Sequence, residues 1–201
     1  MIKHLFLKTA NDTPTVVMVN ELSLSSNGIL GGVTRHEFRH LLLLPLSTLT
    51  EFNIPPGQLG ENILLSEEME RDIHTYPSGT VFKIGEVLLR ITFHCEPCKK
   101  IKHLASANKI LHKRGVLAQV INGGNIYVGD KIKIMETTFE PIPYALADRV
   151  KWYLNKIDNA IAVTTLVDEI GLSKSYCRAI PNIIRNRTDI DATKIVFKNR
   201  R

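Results

Sequence analysis

Over the first two-thirds of the chain, apolar residues fall in short runs or alternate with polar ones. Over the last third they recur every three or four positions. The first pattern predicts strands. TVVMVNEL (15–22) is rich in β-formers, and TVFKIGEVLLRITF (80–93) alternates around a glycine-containing turn. GVLAQVINGGNIYVGDKIKIM (115–135) reads as two strands joined in a hairpin at Asn122-Gly123-Gly124. Short helices are expected near 46–52 and over 102–113, where Leu104, Ala107, Ile110 and Leu111 have helical spacing. The expectation is a mostly β, antiparallel barrel or sandwich with a few helices.

The second pattern begins after TTFEPIPYA (137–145), whose two prolines read as a linker. Residues 145–157 place Leu146, Val150, Tyr153, Leu154 and Ile157 on one helical face. Residues 162–186 read as helix–turn–helix. Gly171 lies in the turn, Leu166, Ile170, Leu172, Cys177 and Ile180 face inward, and Ser173 caps the second helix. A generic three-helix bundle has the same pattern. The predicted organisation is a β domain at 1–140 and a small α-helical domain at 141–201.

Composition narrows the class. Of 201 residues, 44% are hydrophobic and 23% charged, which suits a soluble globular protein. The longest apolar run, LLLLPLSTL (41–49), is interrupted by Pro45 and is too short to span a membrane. The N-terminal segment is too polar for a signal peptide, so a cytoplasmic location is expected. Three cysteines do not make a disulfide scaffold. Of the net charge of +6, +5 falls in residues 141–201, which hold 11 Lys and Arg against 6 Asp and Glu. A basic module of this kind suits DNA or RNA; a solubilising tail has the same charge pattern.

Chemistry concentrates in HCEPCKK (94–100). Cys95 and Cys98 supply one half of a zinc site, with His94, His103 and His112 as the other candidates. Their spacing also suits a redox pair, although no βαβ unit follows. A third reading is a single functional thiolate. Pro97 ends the strand, leaving Cys98 at its tip beside Lys99 and Lys100, whose charges favour the thiolate, which attacks sulfur or ligates a soft metal. Two unreactive buried cysteines are the structural alternative.

Two further clusters are candidates. In PPGQLGENILL (55–65), glycines bracket a turn followed by Glu61 and Asn62. In RHEFRHLLLL (35–44), Arg35, His36, Arg39 and His40 suit an anion such as phosphate, and Arg114 in KRG (113–115) adds another cation. An ordinary turn and a solvated strand entry have the same residues.

GQLGENILL, FKIGEVLLRIT, EPCKKI and RGVLAQVINGGNIYVGDKIKI, in that order, resemble the MOSC domain, which is related to the C-terminus of molybdenum cofactor sulfurases. The resemblance covers roughly residues 10–136. It implies a barrel-like β fold and a pocket for molybdenum cofactor, with Cys98 as molybdenum ligand or sulfur acceptor. It also implies that Arg39 lies near the cofactor and that Glu61 and Asn62 shape the pocket; Lys99 and Arg114 join this set as cations. Residues 164–186 resemble the DNA-binding helix–turn–helix of O6-alkylguanine-DNA alkyltransferases, without their Pro-Cys-His-Arg acceptor motif. That likeness implies nucleic-acid contacts from Lys174, Tyr176, Arg178, Arg185 and Arg187. Pro181 would bend or interrupt the second helix.

Two function classes follow. One is a MOSC-type enzyme, a molybdenum-cofactor-dependent reductase of a nucleobase-type or other N-hydroxylated substrate or a sulfur transferase using Cys98, with a redox or sulfur-donor protein as partner. The other is a non-catalytic DNA-binding regulator or repair adaptor whose β domain senses a ligand.

Overall fold

The computed structural model describes residues 1–9, 16–33, 36–68, 71–172 and 174–197, with Lys99 and Ser175 described by their backbone alone. Arg35 and Ser173 lie outside the described residues. The chain forms two compact units, Met1–Pro141 and Ile142–Arg201.

Among the described residues, the first unit contains eleven strands and two short α-helices. These are β1 (Ile2–Leu7), β2 (Val17–Val19), β3 (Glu21–Ser25), β4 (Gly28–Ile29), β5 (Leu41–Pro45), α1 (Leu46–Phe52), β6 (Ile63–Leu65), β7 (Thr80–Ile84), β8 (Val87–His94), α2 (Ala107–Ile110), β9 (Val116–Asn122), β10 (Gly124–Tyr127) and β11 (Lys133–Thr138). Eight strands form one sheet in the order β11-β7-β8-β9-β5-β6-β1-β2, and β10-β3-β4 form a second. Every pair is antiparallel except β5 with β6.

The LLLL run explains how the large sheet is packed. Side chains alternate between faces along a strand. Leu41 and Leu43 of β5, Ile63 and Leu65 of β6, and Ile2 and Leu5 of β1 join one core with Leu22, Leu24 and Ile126 of the small sheet. Leu44, Leu64 and Phe6 point to the other face, where Leu49, Ile54, Leu59, Ile101 and Ile110 cover them. A strand covered on both sides reads as continuously apolar. This second layer, made by α1, α2 and the loops around 54–59 and 95–113, places those loops over the end of β5.

Three sequence expectations are corrected. Residues 115–135 are not a hairpin: β9 pairs with β8 and β5, whereas β10 pairs with β3. The chain turns a corner at Gly123, where a Cβ would run into the carbonyl oxygen of Leu24, and this close approach lets β10 leave one sheet for the other. The result is an open sheet covered by a second one rather than a closed barrel. The strand expected over 15–22 is two strands broken at Asn20. The helix expected over 102–113 shrinks to α2, and His112 adopts a left-handed φ of 63°, which no helix continues through.

The second unit contains α3 (Leu146–Leu154), β12 (Ile161–Ala162), α4 (Val163–Glu169), α5 (Ile180–Arg185) and β13 (Ile195–Val196), with β12 and β13 paired in parallel. Val150, Leu154, Leu166, Ile170, Leu172 and Ile180 form its core, with Cys177 packed against them. Gly171 is left-handed, φ 73°. After it comes a 3-10 turn, Lys174–Arg178, and only then α5, with Pro181 in its first turn. Proline lacks the amide an ongoing helix needs but is suited to a helix start. The expected second helix is therefore split in two. Among the described residues, no helix is long and apolar enough to cross a membrane.

Asn62 ties the strands of the large sheet together at the entrance to β6. Its Oδ1 accepts from the Leu42 amide at 3.1 Å, and its Nδ2 donates to the Phe6 carbonyl at 3.2 Å. Asn62→Ala leaves both buried groups unsatisfied, and a loss of about 2–4 kcal/mol is expected. Urea unfolding followed by far-ultraviolet circular dichroism should give a clearly lower midpoint; an unchanged midpoint would contradict this role.

Candidate functional site

The end of β8 and the start of β9 form the candidate site. His94 is the last residue of β8 and pairs with Val116 of β9. The Cys95 amide then donates to the Gly115 carbonyl at 2.9 Å. Pro97 lacks an amide to donate, and no ladder continues past it. The two cysteines diverge as a result: Cys95 is buried and Cys98 is exposed.

Arg114 reaches Cys98 from the other side. Its Nη1 donates to Cys98 Sγ at 3.3 Å and to the Glu96 carbonyl at 2.5 Å, and its Nη2 donates to the Leu59 carbonyl at 3.1 Å. One guanidinium thus joins the cysteine loop to the GQLGEN loop. Partial burial pushes the Cys98 thiol up. The charge of Arg114, its hydrogen bond and the amides of Lys100 and Ile101 outweigh that, and the thiol is held below its ordinary value. A larger thiolate fraction at neutral pH follows.

Gly115 makes this placement possible. It is left-handed, φ 85°, and a Cβ there would run into the Leu43 carbonyl oxygen. Only glycine lets the chain turn from Arg114 into β9 at this distance from β5.

Glu61 braces the facing loop. It is fully buried, and its Oε1 accepts from the Gly57 amide at 2.5 Å. Burial raises its carboxyl, against the amides of Gly57, Glu61 and Leu59 and the charge of Arg114, which lower it. Its Oε2 and the Nε of Arg114 are buried without a hydrogen-bond partner among the described residues. Glu61 and Asn62 therefore shape the wall through its backbone rather than presenting side chains to a ligand.

The remaining candidate residues are dispersed. Lys99 opens the 3-10 turn Lys99–Ile101 beside Cys98. Arg39 closes the 3-10 turn Glu37–Arg39 before β5. The register Leu41↔Ala118 and Leu43↔Val116 puts Arg114 at the opposite end of β5 from Arg39. His40 of the same cluster is buried, and its Nδ1 accepts from the Val120 amide at 3.1 Å. It serves as a structural acceptor rather than an anion donor. In the second unit, Lys174, Arg178 and Arg185 are exposed and Tyr176 half-buried. Arg187 pairs with Asp148 at 2.9 Å and Asp189 at 2.7 Å. The zinc reading finds no support: among the described residues no three His, Cys, Asp or Glu side chains group as a metal site.

Sequence reasoning missed His74. Its ring lies 5.9 Å from that of His94, which lies 5.4 Å from that of His112. Burial lowers His94, and its two histidine neighbours lower it further. His74 sits in a stretch without hydrophobic periodicity. Its one local signal is the Asp-x-His spacing, in which Asp72 Oδ1 accepts from the His74 amide at 3.0 Å.

Residues 43–133 match the sequence profile of the MOSC domain. The match includes Cys98, Lys99, Arg114, Glu61 and Asn62 and excludes Arg39 and the second unit. No curated protein sequence matches the chain. Among solved structures, YiiM from Geobacillus stearothermophilus aligns with a TM-score of 0.59 at 17% identity, covering 92% of this chain and 98% of that one. YiiM from Escherichia coli gives 0.51 at 19%, covering 96% and 98%. The YuaD protein from Bacillus subtilis gives 0.57 at 18%, covering 69% and 96%. At these identities the likeness is one of fold, and the β-rich unit fits the MOSC type.

Cys98 should alkylate faster than Cys95 near neutral pH when the sites are resolved by peptide mass spectrometry. Arg114→Met should raise the Cys98 thiol and slow its alkylation at pH 7 about tenfold, with Arg114→Lys in between. Equal rates for the two cysteines, or no effect of Arg114→Met, would contradict the assignment.

Proposed function

We propose that the first unit binds molybdenum cofactor through Cys98 and acts as a reductase of a nucleobase-type or other N-hydroxylated substrate. The observation that carries this reading is the exposed Cys98 sulfur held by Arg114 and kept toward its thiolate form. A thiolate is a soft donor, the kind a soft transition metal takes. The MOSC profile match over residues 43–133 supports the same cofactor class.

The residues present fit such a group. Cys98 would ligate the metal, and Arg114, which already donates to the Cys98 sulfur, would set its positive charge beside the group's negative charge. Bound there, the cofactor supplies two-electron transfer. Reduction of an N-hydroxylated nitrogen to an amine takes two electrons and two protons and releases water, so a redox partner protein supplies the electrons. The chain's own contribution is to hold the thiolate at an accessible strand end and to keep Cys95 away from it.

A second reading uses the same thiolate without metal: Cys98 accepts a sulfane sulfur from a donor protein and carries it as a persulfide. The buried Cys95 favours this version, since the persulfide would not face a ready resolving thiol. The basic second unit, with Lys174, Arg178 and Arg185 exposed, would bring either activity to DNA or RNA through phosphate contacts.

Native protein expressed with abundant cofactor should contain one molybdenum per chain by elemental analysis, and Cys98→Ser should lose it. Absence of molybdenum from the wild type would overturn the reductase reading. A reducible mass gain of about 32 Da on Cys98 would then mark the sulfur carrier. Nucleic-acid binding by the full chain should fall steeply with salt and weaken in Lys174→Ala/Arg178→Ala. No gel shift at low salt would remove nucleic acid from the account.

A further inference from the structure

His74 makes two hydrogen bonds that together define its state. Its Nδ1 lies 2.7 Å from Asp72 Oδ1, and its Nε2 accepts from the Gly115 amide at 3.0 Å. Nε2 can accept only while it is unprotonated, so Nδ1 carries the proton and donates to Asp72. Asp72 is the exposed member of this pair, with 57% of its side chain accessible against 10% for His74. The arrangement is an aspartate-oriented imidazole whose free lone pair is aimed at one backbone amide.

That amide belongs to the residue after Arg114. Gly115 is held on three sides. Its N–H is taken by His74, its C=O accepts from Cys95, and its Cα lies against the Leu43 carbonyl. The peptide carrying the Arg114 side chain is thus fixed from a turn, Ile73–Thr75, that lies outside both the cysteine loop and the GQLGEN loop.

We propose that His74 is a positioning residue: its Asp72-oriented imidazole holds the Gly115 amide and, through it, sets Arg114 against the Cys98 sulfur. This rests on the reading of Cys98 as the reactive thiolate.

The test is the pH profile of Cys98 alkylation by iodoacetamide, resolved by peptide mass spectrometry in the full chain. His74→Leu removes the acceptor and should move the midpoint upward, slowing alkylation at pH 7 about three- to tenfold. His74→Gln offers a carbonyl oxygen to the same amide and should stay close to wild type. Asp72→Ala, at an exposed position, should shift the profile in the same direction as His74→Leu and serves if His74→Leu does not fold. A folded His74→Leu with the wild-type midpoint overturns the proposal, as does an unshifted Asp72→Ala where His74→Leu fails to fold. A wild-type midpoint no lower than an ordinary thiol instead removes the reading of Cys98 on which the proposal stands.

Discussion

The contact between Arg114 and Cys98 is the constraint on which the site depends. A thiol at a strand end, partly covered by protein, is by itself a weaker acid than one in water. Here one guanidinium reverses that effect, and the same guanidinium donates to carbonyls in two different loops. Activation of the sulfur and closure of the site are thus one interaction. Arginine suits this role because its planar fork presents several donors in fixed directions, which a lysine cannot reproduce.

The fold brings two loops distant in sequence to that guanidinium. The LLLL strand is buried on both faces, by the small sheet on one side and by α1, α2 and their loops on the other. Because the second layer rests on β5, the loops around Leu59 and Ile101 converge at its C-terminal end. Gly115 lets β9 begin there without a clash. Asn62 and Glu61 hold the neighbouring loop from within, each through backbone groups. Cys98 needs only to emerge from the end of β8, and Pro97 ensures that it does.

Much of this was legible in the chain. Alternation around Gly85 marked the β7–β8 hairpin, and the apolar run followed by LSTLTEF marked β5 and α1. The Cys-x-Pro-Cys order and the two following lysines offered Cys98 as the exposed thiol, beside other readings, and Cys98 is the exposed one. The hairpin expected at Asn122-Gly123-Gly124 was misread because two glycines signal a change of direction without naming the strand that will be met next. Only the close approach of Gly123 to Leu24 decides that. Likewise, the apolar residues of 102–113 gave a helical period, but His112 in a left-handed conformation cut it short. Asp72 and His74 left almost no trace, because their role is a contact with a residue some forty positions away. In the second unit the inward-facing positions were readable, while Pro181 split the helix they were placed on.

Direct ultraviolet titration of the thiolate tests the central claim most directly, using a chain in which Cys98 is the only cysteine through Cys95→Ala and Cys177→Ala. A midpoint below that of an ordinary cysteine is expected, moving upward when Arg114 is replaced by methionine. A midpoint at or above the ordinary value, unmoved by that replacement, would contradict it.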